Sequence, residues 1–207
     1  MLQILGRSSS INVRKVLWTC DEIGIPYTRE DWGSGFRSTK EPEFLALNPN
    51  ALIPVIKDGD FVLWESNTIC RYLAAKHGRA DLLPAEPRAR ALIERWMDWM
   101  ASELSFAARY AVVALVRRNP AFNDPAQIAH SIAAWNQQMA ILEGELAATG
   151  AHIAGAAFTL ADIPVGLAVH RWLFAPIERT AYPAVSAYYE RLRGRPAFLP
   201  HARPEVP

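Results

Sequence analysis

The chain has 207 residues, 51% hydrophobic and 21% charged, with a formal net charge of +1. That length and balance describe a globular chain able to bury a sizeable core in one large or two small domains. A near-neutral charge with no basic stripe excludes a nucleic-acid binder that works through broad electrostatics.

Residues 2–5 read as a strand. Its LQIL lacks the basic segment and apolar core of a leader, and no run along the chain reads as long enough to span a bilayer. A cytoplasmic location without a membrane partner is therefore expected. Val13, Val16, Leu17, Cys20 and Ile23 recur at helical spacing, and Gly24 and Pro26 lead into a second strand, Tyr27 to Asp31. A short helix follows around Pro42 to Leu47. The apolar runs Pro54 to Ile56 and Phe61 to Trp64 flank Asp58-Gly59, a hairpin signal, and a helix from Asn67 to His77 closed by Gly78 completes a βαβαββα pattern. This is an α/β thioredoxin-like arrangement, assigned to residues 1–78. The first helix opens on serines where a dithiol exchanger needs Cys-X-X-Cys, which excludes that chemistry. Cys20 and Cys70 each sit in an apolar helical pattern, so they are expected to be core thiols, with neither a disulfide nor a metal site.

RADLLPAEP at 79–87 reads as a linker. Beyond it, over residues 88–207, nothing reads as a strand, and an all-α bundle is expected. Arg88 to Arg118 has long helical character, and Pro120 to Pro125 forms a break. Ile128, Ile132, Trp135, Met139, Leu142 and Leu146 then mark one buried face of a second long helix. In FTLADI, Thr159 and Asp162 have the spacing of a capping box with Asp in place of Glu, and Phe158 with Ile163 has that of a hydrophobic staple.

The stretch from Asn48 to Ser66, NPNALIPVIKDGDFVLWES, carries the chemistry. The hairpin brings Ile53-Pro54 close to Glu65-Ser66 just before a helix. An extended peptide can pair with the backbone at Ile53, while Ser66 and the helix-start amides accept a carboxylate. A small peptide such as glutathione has the right shape and charges. The plainer reading is an ordinary hairpin with a capping serine and a strand-opening proline.

Together with GRSSSINVRKVLWTCDEIGIPY upstream, WESNTICRYL, FTLADI and the ending YYERLRGRPAF, these motifs resemble the glutathione transferases over nearly the whole chain, especially the serine-dependent theta, delta and bacterial types. The resemblance implies that the thiolate of glutathione is added to an apolar electrophile, with glutathione as co-substrate, no metal, and a homodimer as the working unit. It points to Ser10, four residues before Arg14, as the hydroxyl that stabilises the thiolate. Ser9 is the leading substitute and Asn12 a second donor; capping of the first helix is the structural alternative for Ser10. Glu65 is expected to take the γ-glutamyl amino group, Ser66 its carboxylate, and Ile53 before a cis Pro54 the cysteinyl backbone. Ala51 and Leu52 stand where family members carry a basic residue for the glycyl carboxylate, which leaves Lys40, a basic residue of the second region, or water to meet it.

On the first long helix of the second region the resemblance places Phe106, Arg109 and Tyr110 against the electrophile, with Trp32 and Trp172 as further apolar walls. Core aromatics and a solvated arginine are the alternative. Asp98 is the candidate for a cross-subunit acid, against the reading of a solvated helix residue. Two other functions stay open: a glutathione-dependent isomerase of the maleylacetoacetate type, since SSSINVR partly matches that family's SSCSWRVR, and a catalytically silent transferase-like interaction protein.

Overall fold

Four short strands, β1 (Leu2–Leu5), β2 (Tyr27–Glu30), β3 (Val55–Asp58) and β4 (Phe61–Trp64), form a sheet of order β2-β1-β3-β4. The computed structural model describes residues 1–205 and 207, and the chain divides into two units, Met1–Ala85 and Glu86–Pro207. β1 runs parallel to β2 and antiparallel to β3, and β3 is antiparallel to β4, with Leu5 opposite both Glu30 and Val55 and Val55 opposite Trp64. The ends of β1, β2 and β4 and the start of β3 therefore share one end of the sheet. Carrying the register one residue further sets Gly6 opposite Pro54, and Pro54 opposite Glu65. Helices α1 (Ile11–Ile23) and α3 (Ser66–Lys76) follow β1 and β4, so both begin at that end and pack on each other. A single turn, α2 (Pro42–Leu45), precedes β3.

The middle strands carry the buried residues Ile4, Leu5, Val55 and Ile56, whereas the edge strand β4 leaves Phe61 and Trp64 exposed, as expected of strands covered on both faces and of an edge. Leu5, Trp32, Phe44 and Val55 form one apolar cluster, with the Trp32 and Phe44 ring centroids 4.9 Å apart. Trp32 is thus a core residue of the first unit and not a wall of a ligand site, because its ring is used up in this cluster. Cys20 and Cys70 are both free and fully buried. Burial pushes the Cys70 thiol up to about 11 and the Cys20 thiol further, so neither is a ready nucleophile.

Two local expectations are corrected. The hairpin turn is Gly59-Asp60 and not Asp58-Gly59: Asp58 pairs with Phe61 as the last residue of β3, and Gly59 takes φ 66° at the first central position of a two-residue loop. Asp58 is held in the strand by its own contacts, accepting from Tyr72 Oη at 2.8 Å and from Lys76. Nor is 79–85 a free tether. Leu82 and Leu83 are buried, and the Arg79 guanidinium donates to the Glu22 carbonyl at 2.6 Å while pairing with Asp81, which fastens the segment to the first unit.

The second unit is helical: α4 (Pro87–Val116), α5 (Pro125–Thr149), α6 (Asp162–Phe174) and α7 (Pro183–Arg193), with a short 3₁₀ turn at Leu199–His201. α4 is α-helical at Pro87–Trp99 and Ser105–Ala111, but widens into π turns at Met100–Leu104 and Val112–Val116. Contrary to the expectation from the sequence, α4 is long enough, and an 18-residue stretch of it apolar enough, to cross a membrane by length and composition. Glu103 and Arg109 interrupt its more apolar half, while Met97, Met100, Leu104, Ala108 and Ala111 turn into the unit's own core. On α5 the buried face is Ser131, Trp135, Met139, Leu142 and Leu146, with Ile128 and Ile132 only partly covered. Trp172 is also corrected from a site wall to a core residue: its indole N–H donates to Asn136 Oδ1 at 2.8 Å, and its ring meets Tyr182.

Asp162 organises the region before α6. Its carboxylate accepts from the Thr159 amide at 2.7 Å, the Thr159 hydroxyl at 3.2 Å, the Ile153 amide at 3.1 Å and Tyr188 Oη at 3.0 Å. The acidic half of the capping box is therefore formed, while the threonine donates to the carboxylate instead of capping an amide. Ile163 is buried as a staple residue would be. The Phe158 ring carries the Arg195 guanidinium at 3.7 Å and meets His152 edge-on.

Candidate functional site

At the shared sheet end, backbone and side chains converge because two glycines leave room for Ile53. A Cβ on Gly6 (φ 146°) would stand 2.6 Å from Val13 Cγ2 and 3.1 Å from Ile53 Cβ. One on Gly33 (φ 96°) would stand 3.2 Å from Ile53 Cδ1. A side chain at Gly6 would crowd Val13 and Ile53 together, and one at Gly33 would displace the Arg7 guanidinium and the tip of Ile53. The Ile53-Pro54 peptide bond is cis. Buried Asn48 shapes the approach to it: its amide donates to the Leu52 carbonyl at 2.8 Å, and its Oδ1 accepts from the Asn50 amide at 3.0 Å. This role of Asn48 was not read from the sequence. Its signal was the Asn-Pro-Asn run, a turn-forming composition.

Ser10 occupies the position just before α1, with extended backbone (φ −82°, ψ 126°), yet its side chain makes no capping hydrogen bond. The Ser10 amide donates to the Arg7 carbonyl at 3.1 Å, which fixes the turn that presents the residue. Ser9 is exposed, and its hydroxyl accepts from Arg7 Nε at 3.0 Å. Asn12 is exposed on the first turn of the helix. Arg7 thus orients the Ser9 hydroxyl as an acceptor without using its proton, while Ser10, directly before the first turn of α1, makes no side-chain cap among the described residues.

Glu65 and Ser66 open α3. Glu65 has φ 74° and ψ 107°, outside the usual regions for a residue with a side chain, and such a conformation costs on the order of 1–3 kcal/mol. Its carboxylate does not cap α3 and is exposed, while Ser66 is buried. The starts of α1 and α3 carry neither a side-chain cap nor an acid in the first turn. In the second unit the practice is different. Glu86 caps α4, Asp124 caps α5 and Glu143 accepts from the Ala184 and Val185 amides at the start of α7. Two helix starts with orphan amides and no local negative charge, at one end of a sheet, are suited to an anion. Lys40 is exposed and makes no ion pair among the described residues.

Phe106, Arg109 and Tyr110 line one cleft of about 590 Å³ within the helical unit, between α4 and α5. Phe106 is 79% exposed, so it is not a core aromatic. Tyr110 packs against Phe122 with centroids 5.0 Å apart, and its Oη accepts from the Asp124 amide at 3.4 Å. The opposite wall comes from α5, with Ala126, His130, Ser131 and Gln138. Phe122 and these α5 residues were missed from sequence, since nothing in a one-dimensional pattern says which face of α5 meets Tyr110. Among the described residues, Arg109 makes no ion pair and the buried Gln138 Oε1 has no hydrogen-bond partner. Apolar walls with a few unengaged polar groups are the composition of a small-molecule site. Asp98 is exposed on α4, and its carbonyl accepts from Ser102 Oγ at 2.9 Å.

A thioredoxin-like α/β unit with a cis-proline at its sheet end, followed by a helical unit, defines the class: a thioredoxin-fold protein with an all-helical C-terminal domain. Comparisons with known proteins narrow it. Residues 9–76 match the glutathione S-transferase N-terminal domain and residues 125–191 the glutathione S-transferase C-terminal domain. Glutathione S-transferase GstB of Escherichia coli K12 is 37% identical over 199 residues, 95% of each chain. Glutathione S-transferase 3 of Zea mays is 33% identical over 205 residues, covering 95% of this chain and 91% of the maize protein. Among solved structures, the theta class glutathione S-transferase from Xanthomonas axonopodis pv. citri with glutathione bound superposes with a TM-score of 0.91 at 40% identity, covering 97% and 96% of the two chains. The chain belongs to the glutathione S-transferase family.

Proposed function

We propose that this enzyme adds the thiolate of glutathione to an apolar electrophile, with the Ser10 hydroxyl stabilising the sulfur anion. The observation that carries the reading is the uncommitted Ser10 hydroxyl at the start of α1, at the same sheet end as cis-Pro54 and Ser66. A free thiol of this kind has a pKa near 8.5, so only a few per cent is thiolate at neutral pH. A donated O–H and the positive end of α1 both favour the anion. Asn12, on the first turn, is in reach of the same role by its place in the chain. Ultraviolet titration of the bound thiol in the native protein and in Ser10→Ala tests the assignment.

The rest of the peptide is held by the elements around it. The Ile53 backbone pairs with the cysteinyl residue in strand-addition style, Ser66 and the uncapped α3 amides take the γ-glutamyl carboxylate, and Glu65 takes the amino group. The strained backbone of Glu65 supports this, because such conformations concentrate at ligand clamps. Lys40 meets the glycyl carboxylate. Glu65→Ala is expected to weaken glutathione binding by roughly 1–3 kcal/mol, the range for a lost hydrogen bond to a charged group. Calorimetry that finds unchanged affinity in the folded variant overturns the role of Glu65.

The electrophile occupies the cleft of Phe106, Arg109 and Tyr110, whose apolar walls suit aryl halides, epoxides or isothiocyanates. The working unit is a homodimer in the cytoplasm. Half-exposed Leu92 and solvent-facing Asp98 on α4 support a partner surface there, and two buried free thiols suit a reducing compartment. Light scattering is expected to give twice the chain mass at micromolar concentration; a monomer alone overturns the dimer.

A further inference from the structure

The polar residue that anchors α5 to the cleft is Ser131. It is 5% exposed, and its hydroxyl accepts from the Ala111 amide at 3.1 Å and donates to the Ala107 carbonyl at 2.6 Å. An amide and a carbonyl four residues apart are the pair that an α-helix joins directly. Here a side chain from another helix bonds both groups of that rung and ties α5 to α4 at this point.

The location of this tie gives it a consequence. Ala107 to Ala111 lies in the α-helical stretch Ser105–Ala111, bracketed by the π turns Met100–Leu104 and Val112–Val116. Each π turn adds one residue to a turn, and one residue corresponds to a rotation of about 100° around the axis. The direction in which Phe106, Arg109 and Tyr110 point therefore depends on where along α4 the wide turns sit. Two hydrogen bonds from Ser131 hold the intervening stretch in one setting. Without the hydroxyl, this tie between α5 and the Ala107–Ala111 rung is lost, and the wide turns on either side are free to shift.

We infer that Ser131 is a positioning residue that sets electrophile specificity, by pinning the α4 stretch that presents Phe106, Arg109 and Tyr110 to the cleft. This rests on the reading of the cleft as the electrophile site. It needs no contact between Ser131 and substrate.

The test uses steady-state kinetics of the full-length protein with glutathione, chlorodinitrobenzene and a small alkyl isothiocyanate. Ser131→Ala is expected to raise the KM for chlorodinitrobenzene about three- to tenfold and to change the kcat/KM ratio between the two electrophiles. The KM for glutathione and the titration of its bound thiol should stay as in the native protein. Leu146→Ala is the control, a buried truncation on the same helix about 22 Å along the axis from Ser131. It should lower the melting temperature without changing the electrophile ratio. If Ser131→Ala does not fold, Ser131→Cys, close in size but a weak donor, takes its place with the same expectations. An unchanged electrophile KM in the folded variant, while Phe106→Ala and Arg109→Ala do raise it, overturns the positioning role and leaves the cleft standing. If Phe106→Ala and Arg109→Ala have no effect either, the cleft reading itself has failed and the inference falls with it. Equal kinetic effects of Ser131→Ala and Leu146→Ala also overturn it, since loss of stability then accounts for both.

Discussion

Ser10→Ala is expected to bind glutathione nearly as tightly as the native protein and to conjugate it roughly ten- to a thousandfold more slowly at neutral pH, the range for removing one donor from a developing or resident anion. The separation of binding from rate follows from the fold. The hydroxyl lies at the start of α1, whereas the ends of the tripeptide are assigned to the start of α3, Ile53 and Lys40. Depressing a thiol pKa by about 2 units from 8.5 corresponds to about 2.7 kcal/mol, within reach of one charge-assisted hydrogen bond and a helix terminus together. Ser10→Ala should therefore raise the pKa of the bound thiol towards 8.5, so that activity recovers as the pH rises through that value. Ser9→Ala should do much less, because Ser9 is exposed and stands one residue further than Ser10 from the first turn of α1, whose positive end assists the anion. Ultraviolet titration in both variants decides between them. A shift in Ser9→Ala without one in Ser10→Ala reverses the roles, and no shift in either moves the activation to backbone amides or Asn12.

Why Ser10 was legible from the sequence, and Ser131 was not, comes down to the range of the interactions involved. Ser10 is part of a local pattern, a strand, a glycine and a helix start within a dozen residues, and local patterns carry their meaning in order and spacing. The sheet end was legible for the same reason: Asp58 to Asp60 and the flanking apolar runs fix a hairpin, and a hairpin fixes what lies opposite what. Even there the turn slipped by one residue, because Tyr72 and Lys76 on α3 hold Asp58 in the strand. No signal from 14 or more residues away enters a hairpin reading. Ser131 shows the same limit on a helix. Counting back from Leu146 in alternating steps of four and three gives Leu142, Met139, Trp135 and then Ile132 and Ile128, whereas the buried face takes a second step of four from Trp135 to Ser131. The serine belongs on the buried face only because α4 offers it a carbonyl and an amide. Similarly, Trp32 and Trp172 were read as site walls because an aromatic residue is equally suited to a core and to a pocket. Their partners, Phe44 and Asn136, settle the matter.

Asp162→Ala is expected to have the largest effect on stability of any single substitution considered. Its carboxylate is fully buried and accepts four hydrogen bonds, from two backbone amides, a threonine hydroxyl and the Tyr188 phenol. Burial, reinforced by Asp162, pushes the Tyr188 pKa well up, so the phenol stays protonated as a donor. Truncation leaves both amides and the threonine hydroxyl without this acceptor in a place that water does not reach, and leaves the Tyr188 phenol only a long bond, 3.4 Å, to the Asp162 carbonyl. At about 1–3 kcal/mol for each unsatisfied buried group, offset by local relaxation, the loss should be about 3–5 kcal/mol. Glu86→Ala gives the scale. That residue also accepts from two amides, at 2.9 and 2.7 Å, but it is exposed, so water replaces it and the loss should be much smaller. Asp162→Asn restores one acceptor oxygen and adds an N–H₂ that faces donors, so it should recover only part of the difference. Urea unfolding of the three variants, followed by helical circular dichroism, measures this. A midpoint for Asp162→Ala no lower than that for Glu86→Ala would mean that water or a shifted neighbour takes over the carboxylate's bonds, and that the start of α6 is not organised by Asp162.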